Sequence, residues 1–178
     1  GEAFFSKHSR NLIKRIAAEN KTAQFKIFTN GLLFNNANIK ALGLEGRIFE
    51  AFISLPSLDK AVYEKIMRGN DYNAVMKNLK EIFQDKTIKK ITLNMVVSVL
   101  NYKEIPKLAE FARKNNVNLS ITQFYPEDTE FCRNYEYSAV WEKTHSEFEN
   151  FKQVLKHNAL DYDKIEMTPL LKNIRETA

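Results

Sequence analysis

Asn94 lies inside an apolar run, Ile91 to Leu100 (ITLNMVVSVL), and an amide placed there must find a hydrogen-bond partner in the protein or in a ligand. Other polar side chains recur where apolar runs end: Thr29 and Asn30 after FKIF, Ser54 before Leu55-Pro56, and Arg68 before Gly69. Each of these has a structural use: Asn30-Gly31 as a turn pair, Ser54 as a strand-end residue, Arg68-Gly69 as a helix end. Other chemistry is poorly supplied. Cys132 is the only cysteine, which excludes an intramolecular disulfide and any multi-cysteine zinc or iron-sulfur site built from this chain alone. His8, His145 and His157 stand at unrelated spacings and read as structural or exposed. Lys89 and Lys90 precede a strand, the wrong end for the catalytic lysine of a barrel lyase or aldolase.

Periodicity supplies the elements that hold these residues. Leu12, Ile13, Ile16 and Ala17 recur at helical spacing, predicting an amphipathic helix from Ser6 to about Asn20. Phe25 to Thr29 and Ile48 to Leu55 read as strands, the second stopped by Pro56 and apolar enough to be covered on both faces. A short helix is expected at Ile39 to Leu42. Asp71 caps a helix whose Tyr72, Val75, Met76, Leu79, Ile82 and Phe83 form a stripe. In the strand from Ile91, alternation puts Ile91, Leu93, Met95, Val97 and Val99 on one face, with Thr92, Asn94, Val96 and Ser98 on the other. Asn101 and Glu104 have the spacing of an N-cap and its N3 acid ahead of a helix carrying Ile105, Leu108, Phe111 and Ala112. A strand over Val117 to Tyr125, a long helix from Ser138 to about His157 and a last helix after Thr168-Pro169 complete the reading.

Strands alternating with helices imply an α/β fold with a parallel sheet of crossover units. A strand with one apolar and one polar face favours a curved sheet, its concave side ligand-lined near the carboxyl ends of the strands.

The 178 residues fit one domain, and 44% apolar content supplies a sizeable core. Lys and Arg exceed Asp and Glu by 27 to 22 but are scattered, which argues against a nucleic-acid arm and supports only a mild preference for anions. No run of about 18 apolar residues and no basic-then-apolar leader is present. A bacterial-type cytoplasmic protein without membrane contact is the expectation.

The order of the motifs resembles the radical S-adenosylmethionine (radical SAM) superfamily. Gly1-Glu2, then a helix, then a strand ending Thr29-Asn30-Gly31, is similar to the family's GGE motif, less its first glycine, and third strand. ISL at Ile53 to Leu55, Tyr63-Glu64-Lys65-Ile66 with Arg68-Gly69, LNMVV at Leu93 to Val97, and Asn101 with Glu104-Ile105 continue the same order, from Gly1 to about Pro126. The resemblance implies a partial (β/α) barrel, roughly the last four strands of a (β/α)6 core over residues 1–126, with a carboxyl-terminal helical extension over 127–178 packed on it. It further implies that Glu2 holds the methionine ammonium of S-adenosylmethionine, that Ser54 and Asn94 hydrogen-bond its ribose or carboxylate, and that Arg68 pairs with the carboxylate. Thr29 and Asn30 line the same mouth, with Gln123 and Tyr125 near adenine or substrate.

Family members cleave S-adenosylmethionine with an electron from a four-iron, four-sulfur (4Fe-4S) cluster held by a CxxxCxxC motif. This sequence has no such motif, so the expectation is an amino-terminally truncated fragment of a radical SAM enzyme, inactive as it stands and retaining neither cofactor tightly. The alternative is a non-catalytic ligand-binding or interaction module with a half-barrel fold. Either way the edge of the strand at Phe25 to Thr29 is expected to be exposed and to drive self-association. The substrate is not identified by any motif; the segment from Glu127 to Tyr137 reads as a specificity loop.

Overall fold

A computed structural model of the chain describes residues 4–124 and 135–178. Glu2, Tyr125, Cys132 and most of the 127–137 segment lie outside the described residues. Five strands form one sheet in the order β1-β2-β3-β4-β5, with every neighbouring pair parallel: β1 Phe25–Thr29, β2 Ile48–Ser54, β3 Lys90–Val97, β4 Asn118–Gln123 and β5 Ile165–Met167. Sequential order without a reversal is that of a barrel wall rather than of a doubly wound sheet.

The connections are helical. α1 (Lys7–Glu19) precedes β1, α2 (Asn36–Ala41) leads to β2, α3 (Lys60–Ile66) and α4 (Tyr72–Ile82) lead to β3, and α5 (Ile105–Lys114) leads to β4. Beyond β4 come α6 (Tyr135–Ser138), α7 (Phe148–Leu155) and, after β5, α8 (Pro169–Glu176). α4 forms as its sequence dictates: the Asp71 carboxylate accepts the Asn73 and Ala74 N–H groups at 2.8 and 3.2 Å, and Val75, Leu79 and Ile82 are buried. Ser6 likewise caps α1, accepting from Ser9 N.

The core sits between the helices and one face of the sheet, where Ile27, Ala51, Ile53, Leu93, Met95, Val97, Leu119 and Ile121 are buried. The opposite face carries Lys26, Phe28, Phe52, Ser54, Asn94, Val96, Asn118, Ser120 and Thr122, all half-buried or exposed. This open face is what period-two alternation requires of a sheet covered by helices on one side.

Three features depart from the sequence reading. β5 adds a fifth strand within the segment expected to be helical; it is a three-residue strand of mixed polarity, anchored by Leu119 N–H to Lys164 O at 3.0 Å and Thr168 N–H to Ile121 O at 3.2 Å. The long helix expected from Ser138 is instead α6 and α7 separated by turns, because Trp141 leaves helical register to pack edge-on against Phe124 at 5.1 Å. Asn101 is not a side-chain N-cap; a 3-10 turn over Tyr102–Glu104 opens α5 and the Asn101 amide is engaged elsewhere.

Candidate functional site

The carboxyl ends of β1 to β4 lie together, and the loops that leave them are held by buried amides. After β1 the chain turns at Asn30-Gly31, where Gly31 has φ +83°, and a Cβ there would stand 3.1 Å from Val75 and 3.2 Å from Ile53. Asn78, inside the apolar stripe of α4, donates its amide to Gly31 O at 3.0 Å and Leu32 O at 2.8 Å and so ties the turn down. Asn101 does the same between β2 and β3: Nδ2 donates to Pro56 O at 3.1 Å and Val96 O at 2.9 Å, while Oδ1 accepts from Ser98 N at 2.7 Å and Ser98 Oγ at 3.3 Å. Beside it, Ser57 Oγ accepts the Asp59 N–H and faces Glu104, which takes a salt bridge from Lys107 at 2.9 Å. An amide within the apolar stripe signals Asn78 in the sequence, whereas the spacing of Asn101 to Glu104 imitates a capping box.

Ser54 and Asn94 are register partners on β2 and β3, and Leu55 N–H donates to Asn94 O at 2.9 Å beside them. Both side chains lie half-buried on the open face, and neither makes a hydrogen bond to any described residue. Two adjacent half-buried polar side chains without partners among the described residues are left to water or to a ligand.

Asn30 is partly committed. Its Oδ1 accepts the Leu32 N–H at 3.0 Å, the side-chain-mimicked turn that Asn-Gly favours, and its Nδ2 donates to Asn70 Oδ1 at 3.3 Å. Asn70 in turn donates to the Tyr63 hydroxyl at 3.4 Å, and burial pushes that phenol's pKa up. This chain of contacts brings the Arg68-Gly69-Asn70 turn over the end of β1. Arg68 itself is exposed and makes no ion pair among the described residues. The same turn carries Gly69 at φ +83°, just past the end of α3, as a helix-ending glycine does.

Two of the residues named from the sequence face the helices. Thr29 is 5% exposed and sits on the helix-facing side with Ile27; its Oγ1 accepts the Gly31 N–H at 3.1 Å, which makes it a turn-shaping residue rather than part of the open face. Gln123 also faces the helices and accepts the hydroxyl of Thr168, so it turns away from the open face.

The opposite, amino-terminal end of the open face is closed by charge. Glu50, nearly buried, is gripped by Lys26 at 3.1 Å and Lys90 at 3.0 Å, and Lys90 also reaches Glu166 at 3.5 Å. Burial opposes ionisation of Glu50, but the two ammonium groups outweigh it and hold its pKa below the ordinary value. The Glu50 carboxylate raises the pKa of Lys90, the reverse of what a nucleophilic lysine needs.

One cleft of the described surface, about 570 Å³ in volume, lies between Trp141, Phe148, Leu170 and Ile174. No group of three or more His, Cys, Asp or Glu among the described residues is placed to hold a metal, and with Cys132 as the single cysteine the donor set does not fit an iron-sulfur cluster. No helix among the described residues is long and apolar enough to cross a membrane.

No family model matches the chain. In sequence it is similar to a protein named a probable GTP 3',8-cyclase from Methanocaldococcus jannaschii, 27% identical over 128 residues that make up 71% of this chain and 41% of that protein. The chain therefore spans less than half the length of that relative. In fold it is similar to a domain of a pyruvate-formate lyase-activating enzyme from Bacteroides vulgatus, with a TM-score of 0.60 and 14% identity over 94% of each chain. At that identity the solved domain speaks for the fold alone.

Proposed function

We propose that the open face at the carboxyl ends of β1 to β4 is the cofactor side of a partial radical SAM barrel, and that this chain binds S-adenosylmethionine-class ligands there without cleaving them. One observation carries the reading: Ser54 and Asn94, paired in register on that face, have no hydrogen-bond partner among the described residues. The Ser54 hydroxyl and the Asn94 amide serve the ribose or carboxylate of the ligand. Arg68, brought near by Asn30 and Asn70, offers a guanidinium fork to the carboxylate. Glu2 offers its carboxylate to the ammonium. Beside a reduced 4Fe-4S cluster, bound S-adenosylmethionine supplies a 5'-deoxyadenosyl radical. The single cysteine gives this chain no means of holding that cluster, so no cleavage step is assigned to it. In the complete protein, in this proposal cytoplasmic, the cluster cysteines belong to polypeptide that the 178 residues do not include.

The test is a titration of the isotope-labelled chain with S-adenosylhomocysteine, followed by amide NMR. The expected result is movement of the Asn94 side-chain amide and the Ser54 N–H, the latter abolished in Asn94→Leu. Shifts confined to other surfaces, or none at saturating ligand, would falsify the reading.

The missing cysteine motif favours one further reading, a half-barrel kept as a non-catalytic binding module. The gene upstream of the Gly1 codon separates the two. An in-frame CxxxCxxC within one or two crossover units belongs to an enzyme; a start codon at or near Gly1 belongs to the module.

A further inference from the structure

Carried one residue past Thr29↔Ile53, the parallel register sets Asn30 beside Ser54, and Ser54 is paired in turn with Asn94. Asn30 therefore ends the same row of polar side chains, and it ties that row to another part of the chain. Its Nδ2 donates to Asn70 Oδ1 at 3.3 Å, and Asn70 Nδ2 donates onward to the Tyr63 hydroxyl at 3.4 Å. Tyr63 is a fixed point. It is fully buried and packs edge-on against Tyr72 at 5.3 Å, and Tyr72 is itself held by donation to Leu58 O at 2.6 Å. The turn after α3 needs none of this to end the helix, because Gly69 at φ +83° and the Asn70 N–H, bonded to Met67 O at 3.0 Å, close it already. The Asn70 side chain serves a second purpose: it holds Arg68-Gly69-Asn70 against the end of β1, 40 residues away in sequence.

We propose that Asn70 is a positioning residue that makes the open face selective for the amino-acid portion of its ligand, acting through Arg68. This rests on the reading of the face as a site for S-adenosylmethionine-class ligands. Lys26 and Lys90 are engaged by Glu50 at the far end of the face, whereas Arg68 has no ion pair among the described residues. A guanidinium matches a carboxylate through a planar fork, and the match is worth most when the fork is already held where the carboxylate arrives. An arginine on a loose turn has to be ordered by the ligand itself. The relay through Asn70 removes the backbone part of that cost. An amide suits the place, since it accepts from Asn30 and donates to Tyr63 at once.

Amide NMR titrations of the labelled 178-residue chain with two probes test this. One is S-adenosylhomocysteine; the other is 5'-methylthioadenosine, which keeps the nucleoside and the thioether but lacks the amino and carboxyl groups. The wild type is expected to bind S-adenosylhomocysteine about tenfold more tightly. Asn70→Ala and Arg68→Ala should each abolish that preference and leave the affinity for 5'-methylthioadenosine unchanged. The double variant should be no weaker than Arg68→Ala alone, as befits a residue that works through another. A wild type that binds both probes equally overturns the proposal and leaves the reading of the face standing; one that binds neither overturns both. An Asn70→Ala chain that keeps the wild-type preference overturns the proposal, and so does one that loses both probes alike, which marks Asn70 as structural. If Asn70→Ala fails to fold, Tyr63→Phe decides, since it removes only the hydroxyl: a reduced preference supports the relay, and an unchanged one refutes it.

Discussion

The Asn101 amide joins the exits of two strands, donating to Pro56 O just beyond β2 at 3.1 Å and to Val96 O within β3 at 2.9 Å. Its oxygen takes the Ser98 N–H and hydroxyl, so both ends of a buried amide are in use. The clamp lies two residues past Ser54 on one strand and two past Asn94 on the other. It sets the spacing of that pair from outside the open face.

Asn101→Ala leaves buried carbonyls and the Ser98 N–H without partners and is expected to cost about 3 kcal/mol of stability in urea denaturation. Asn101→Asp removes the two donations while keeping the acceptor and should be nearly as damaging. A loss below about 0.5 kcal/mol for the alanine variant would mean that water replaces the clamp.

Arg47 performs a similar service for α1. That helix has no basic residue in its last turn, and the Arg47 guanidinium supplies the cation from the start of β2, donating to Ala17 O at 2.7 Å, to Ala23 O at 3.1 Å, and to Asn20 O. Arg47→Ala should cost about 2 kcal/mol and speed hydrogen exchange of the Ile16 and Ala17 amides ahead of the sheet. Arg47→Lys should recover little, since one ammonium cannot serve three carbonyls at once. A lysine variant as stable as the wild type would show that charge alone is at work.

Glu50 makes stability depend on acid. Its pKa lies below the ordinary 4.5 in the folded chain, because Lys90 and Lys26 outweigh the cost of burial. The contribution is therefore complete above the unfolded value and is lost as pH falls through the lowered folded value. Glu50→Gln should be less stable than the wild type at neutral pH, and the gap should close below pH 4.5. Paired denaturant titrations across that range measure it. A gap that stays constant through the acid limb would place the stabilisation in hydrogen bonds rather than in charge. At the alkaline end, Lys90 has its pKa raised above 10.5, so its share persists below that value and is lost as pH climbs through the folded one.

Local signals were legible where one element satisfied itself. Asp71 and the stripe of α4 announce the helix, and the apolar runs at Phe25 and Ile48 become β1 and β2. Reading failed where partners are far apart in sequence. Asn101 reaches back 45 residues to Pro56, and Gln123 is turned toward the helices by Thr168, also 45 residues away. Neither separation leaves a periodic trace. β5 is legible only through its pairing with β4, and Trp141 departs from helical register because the Phe124 and Tyr135 rings offer it a better packed site. For the site, residue types and positions at strand ends were readable, but not which side of the strand each would face. A one-residue change of parity separates Thr29 from Phe28, and only the ladder settles it.

Ser54 and Asn94 differ from Asn30, Asn78 and Asn101 in leaving the hydrogen bonding of the fold alone. Their side chains accept and donate nothing among the described residues, so removing them breaks no intramolecular hydrogen bond. Ser54→Ala and Asn94→Leu should each leave stability within about 0.5 kcal/mol of the wild type, with Asn94→Leu free to gain from the added apolar contact with Val96. The same variants should lose the response to S-adenosylhomocysteine. Denaturation and ligand titration on one set of proteins thus separate two roles that burial alone confuses. If Asn94→Leu costs more than about 2 kcal/mol, its amide works for the fold, and the face beside it has no polar pair to spare for a ligand.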